Sequence, residues 1–71
     1  MMGRKFKKNV WHEKVWEIYT IEEIFNSNGM LMARCTINVK KEEITVGSGC
    51  TVLTVDALLN NPQYIEILKR Q

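Results

Sequence analysis

Residues that usually carry site chemistry are scarce in this chain, which has one histidine, two cysteines and one proline. With only His12, no histidine can be matched to a Ser or Cys nucleophile and an orienting acid at a recognisable spacing. His12-Glu13-Lys14-Val15 opens like a zinc-protease helix, but the position of the second histidine holds Trp16. Cys35 and Cys50 form no Cys-X-X-Cys pair, and with His12 they supply three soft ligands where a structural zinc takes four. Gly47-Ser48-Gly49 lacks the Lys-Ser/Thr of a phosphate-binding loop. The adjacent pairs Glu22-Glu23 and Glu42-Glu43 point different ways on any regular element and read as solvated surface. The expectation is a noncatalytic chain with no cofactor and no metal.

Other absences bear on location. No apolar run approaches the roughly 20 residues that span a bilayer, and the basic start is not followed by a signal-peptide core. Two cysteines are too few for a secreted disulfide scaffold, and no Asn-X-Ser/Thr acceptor occurs. A cytoplasmic location without membrane contact is expected.

What is present is an ordinary folding composition, 45% hydrophobic and 25% charged. Residues 1–14 carry Arg4, Lys5, Lys7, Lys8 and Lys14 against Glu13 alone, while the rest of the chain is net acidic. Residues 1–8 therefore read as a flexible basic arm, and 9–71 as one globular domain.

Val10 to Tyr19 is rich in β-branched and aromatic residues and predicts a strand, clearest over 14–19. Thr20-Ile21-Glu22-Glu23 fits a capping box and Gly29 a helix stop, so a short capped helix is expected over 21–27. From Leu31 to Val39, apolar and polar residues alternate with period 2. Turns at Lys40-Lys41 and Gly47-Ser48-Gly49 would make 31–54 a three-stranded antiparallel meander. That register puts Cys35 and Cys50 in one buried row about two strand spacings, near 9.5 Å, apart. A disulfide would then be out of reach and both thiols buried.

Thr54-Val55-Asp56-Ala57-Leu58-Leu59-Asn60 repeats the Thr-capped pattern of 20–26. Asn61-Pro62 could cap a second helix over 63–70, the preferred reading, although Tyr64 to Leu68 also suits a closing strand. The expected fold is α+β: a small antiparallel sheet of the 31–54 meander and an N-terminal strand, the helix 21–27, and a C-terminal helical segment. The alternative is an SH3-like small β-barrel, with 63–68 closing the sheet and 55–60 a single helical turn.

Two binding surfaces follow. Met30 and Met32, with Leu53, give the polar face of the meander an apolar end, which is either covered from within or meets a protein partner. Arg4, Lys5, Lys7 and Lys8 lie close to Phe6, Trp11 and Trp16, a mixture that suits nucleic acid. The leading expectation is a small protein-interaction module, with self-association as one form; its size suits an accessory protein of the phage or mobile-element type. Nucleic-acid binding through the basic aromatic segment is the alternative.

Overall fold

A computed structural model describes residues 2–10 and 14–68. Five strands and one helix follow in the order β1 (Lys5–Asn9), β2 (Val15–Ser27), β3 (Met30–Lys41), β4 (Ile44–Thr54), α1 (Val55–Asn60) and β5 (Ile65–Ile67). They form one antiparallel sheet in the order β4-β3-β2-β1-β5, which remains open because β4 and β5 do not pair.

The expected helix over 21–27 is instead the second half of a 13-residue strand. Thr20 caps nothing; its hydroxyl accepts a hydrogen bond from Lys5 Nζ at 2.8 Å. The reason is tertiary. Ile21 and residues 23–27 pair with β3, and Ile21 also bonds to Gly3 and Arg4 on the other side, so the backbone groups a helix would use are taken by strand pairing. Asn28-Gly29 then reverses the chain as a two-residue hairpin, both residues having positive φ (52° and 81°). That is the geometry matching the right-handed twist of flanking strands.

The three-stranded meander over 31–54 is two strands. The turn lies at Glu42-Glu43, both at positive φ, and Lys41 pairs with Ile44 across it. Gly47-Ser48-Gly49 runs straight through β4 opposite Val39, Asn38 and Ile37. Lys14 supports the turn with an ion pair to Glu42 at 3.2 Å and a carbonyl that accepts from the Glu42 N–H.

Of the helix expected over 63–70, residues 63–68 are not helical, and 69–70 lie outside the described residues. Asn61 Oδ1 accepts from the Gln63 N–H and the Asn61 carbonyl from the Tyr64 N–H, so Asn61-Pro62 makes a turn into β5. β5 falls within the 63–68 strand of the barrel alternative and pairs with β1, but the sheet does not close. The helical turn at 55–60 is present, with Thr54 Oγ1 accepting from the Ala57 N–H at 3.1 Å. Residues 5–8, expected within a basic arm, belong to β1, which pairs with β2 along its length and with β5 over residues 5–7.

Residues opposite one another in a ladder share a face, so the register sorts the side chains. One face carries Phe6, Tyr19, Ile21, Ala33 and Cys35, and α1 lays Val55 and Leu58 over them to make the core. Glu22 is unpaired at a bulge between Ile21 and Glu23, which lets Ile24 join this face three residues after Ile21. The opposite face has no helix over it among the described residues. Among the described residues, no helix is long and apolar enough to cross a membrane.

Candidate functional site

The outer edge of the sheet is β4, Ile44-Thr45-Val46-Gly47-Ser48-Gly49-Cys50-Thr51-Val52-Leu53-Thr54. Eleven consecutive residues contain no charge and no proline, and Ile44, Val46 and Val52 are 68%, 59% and 46% exposed. Edge strands normally guard their unpaired N–H and C=O groups with lysine, proline, inward charges or short length. Of these devices β4 has only a bulge, at Val46 between the pairs Val39–Gly47 and Lys40–Thr45. The other edge, β5, is three residues long and carries Glu66.

The cysteines contradict the register expected from the sequence. Cys35 is fully buried opposite Thr51, whereas Cys50 is exposed opposite Thr36. The continuous course of β4 sets Cys50 one residue along from Thr51 and therefore on the other face. Burial, with a smaller contribution from the Glu22 carboxylate, pushes the Cys35 thiol up from its ordinary pKa. Both thiols are free, and they point to opposite faces.

Of the apolar patch, Met30 and Met32 lie on the open face, Met30 exposed at the start of β3 and Met32 half-buried opposite Phe25. Leu53 does not join them. It lies opposite Ala33 and packs against the core. Phe25, beside Met32, and Val52, opposite Arg34, take its place in the patch.

The basic segment is divided by the strand alternation. Lys5 and Lys7 are on the open face with Thr20 and Ile18, while Arg4 and Lys8 are on the helix side. Arg4 makes two hydrogen bonds to the Glu66 carboxylate and sits over the Phe6 ring, tying the start of β1 to β5. These bonds raise the Arg4 guanidinium and hold the Glu66 carboxyl below the usual carboxylate range. Lys8 lies over the Tyr64 ring, which meets Tyr19 edge-on at 5.3 Å. Burial and a 2.5 Å hydrogen bond to Glu17 keep the Tyr19 phenol protonated far above its ordinary range. Trp11 lies outside the described residues, as do His12 and Glu13.

On the open face, Lys5, Lys7 and Lys40 surround Trp16 and Ile18 in a shallow groove of about 640 Å³. Lys7 Nζ stands 4.8 Å from the centre of the Trp16 ring. Glu42 and Glu43 close one end, so the groove is basic with an acidic rim. Among the described residues, no group of three His, Cys, Asp or Glu side chains could hold a metal ion. Comparison with protein-family models, with curated proteins and with solved structures gives no match.

Proposed function

We propose that this chain is a noncatalytic protein-interaction module whose docking element is β4, to which an extended segment of a protein partner adds as a sixth strand. The observation that carries this reading is the eleven-residue uncharged edge. Strand addition draws affinity from main-chain hydrogen bonds and specificity from alternate side chains. β4 supplies both an unmatched edge and three exposed aliphatic side chains. Met30 and Met32, on the same sheet but nearer its end, extend the contact on the open face.

The test is selection of binding peptides from a random display library, followed by amide chemical-shift mapping. Shifts concentrated over 44–54 support the reading. Failure to select any binder, or shifts confined to β1 and β5, would overturn it.

A second reading, single-stranded nucleic acid on the open face, is favoured by the placement of Lys5, Lys7 and Lys40 around Trp16. Such a face neutralises phosphates and offers a ring for a base to stack on. It predicts affinity for an oligothymidylate that falls steeply with salt, quenching of Trp16, and loss of both in Lys7→Glu. Point substitution is the appropriate test because deleting residues 1–8 would remove most of β1.

A further inference from the structure

We infer that the strand which seats on β4 is β4 of a second copy of this chain, running antiparallel across a two-fold axis to make a continuous ten-stranded sheet. The inference rests on the reading of β4 as a docking edge and adds the identity of the occupant.

Charge is the first ground. Across a two-fold axis each residue near the centre faces itself or a close neighbour, so any ionised side chain there meets its own sign. Like charges directly opposite in a ladder destabilise it. The chain carries +2 overall and is one-quarter charged residues, yet the eleven residues of β4 contain none. An edge serving a charged partner segment gains nothing from that neutrality, whereas an edge that meets itself requires it near the axis.

The second ground is the inequality of the two edges. Joining β4 of one copy to β5 of the next would be heterologous and open-ended, and its ladder would extend over only three residues. Joining β4 to β4 uses eleven residues on each side, closes the assembly, and leaves the short β5 strands as the outermost ones. Short edges are themselves a protection against further pairing.

The register follows from length. Centring the axis on Gly49 overlaps all eleven residues and sets Val46 of one copy level with Val52 of the other. These are two of the three exposed aliphatic side chains of the strand. Antiparallel pairing within one sheet requires the axis to be normal to the sheet. Both α1 helices then lie on one side, and both lysine-lined grooves lie on the other.

Gly49 also provides a clean test. A Cβ added there meets nothing within 4 Å, and its φ lies outside the left-handed region, so the monomer accommodates a side chain. Gly49→Lys should fold and place lysine beside lysine at the axis. Light scattering of the reduced full-length chain, measured over a concentration series, should give a mass rising from 8.3 kDa toward twice that value for the wild type. For Gly49→Lys it should remain that of one chain.

A short bis-maleimide should trap the wild-type dimer through Cys50, one residue from the axis, since Cys35 is buried. This second measurement needs no variant. A wild type that stays monomeric throughout overturns the second copy. If its 44–54 amides nevertheless shift with a selected peptide, strand addition survives without it. A dimer of undiminished stability in Gly49→Lys places the contact elsewhere and overturns the inference.

Discussion

Replacing Leu58 by alanine measures how firmly α1 holds the sheet. Leu58 is 1% exposed and is the largest side chain that the only helix among the described residues contributes to the core. Truncating a buried leucine costs about 2–5 kcal/mol, the lower values where neighbours relax into the space. Here α1 is six residues long, held by the Thr54 cap and the Asn61 N–H to Ala57 carbonyl bond, and it can settle inward. The expected loss is thus about 2–3 kcal/mol. For a 71-residue chain of total stability about 4–10 kcal/mol, that is a large fraction. At roughly 4–8 °C per kcal/mol, the melting temperature should fall by roughly 8–24 °C. Urea unfolding followed by far-ultraviolet circular dichroism, at one low protein concentration, gives the comparison. A loss below about 1 kcal/mol, the range of surface changes, would mean that α1 is not seated on the sheet.

Three further outcomes are expected. Native protein should label with one equivalent of a thiol reagent, at Cys50, and denatured protein with two; rapid labelling of Cys35 in the native state would contradict the register. Gly29→Ala should cost about 1–2 kcal/mol through its left-handed backbone alone, because a Cβ there meets nothing; an unchanged urea midpoint would refute the two-residue turn. The Arg4 bonds lower the Glu66 pKa, so their contribution is complete above an unfolded carboxylate's value of about 4.3 and is lost as pH falls through the lower folded value. The melting-temperature gap between wild type and Glu66→Gln should therefore shrink below pH 4; a gap that widens on acidification would reverse the sign of this linkage.

What could be read in the sequence was whatever obeyed one period without interruption. Ala33, Cys35 and Ile37 alternate cleanly and do face the core, and the Thr54 cap forms as its residue types imply. Thr20-Ile21-Glu22-Glu23 has the same pattern and a different fate. The bulge at Glu22 spaces Ile21 and Ile24 by three, a helical interval, and hides the alternation of β2. Asn28-Gly29, the strongest short hairpin signal in the chain, resembles a helix stop for that reason.

The second turn had the opposite difficulty. Glu42-Glu43 carries no turn preference although both residues adopt positive φ, while Gly47-Ser48-Gly49 carries a strong one and is strand. A reversal at 47–49 would set Cys50 among the aliphatic residues and halve the edge, whereas the turn at Glu42-Glu43 sets Cys50 opposite Thr36 and makes β4 eleven residues long. The Met30 and Met32 positions survived because they depend on β3 alone. Leu53 did not, because its face is set by the path of β4. The basic residues 4–8 likewise divide between faces once β1 is a strand, a distinction that composition does not contain.

Strand addition requires β4 to be one long strand, open to a partner along its outer side. Amide hydrogen exchange over residues 44–54 at several protein concentrations tests this directly. In dilute solution every second amide, those directed at β3, should be protected, and the alternate amides should become protected as concentration rises. Alternate amides that exchange rapidly at every concentration, or a break in protection at residues 47–49, would contradict it.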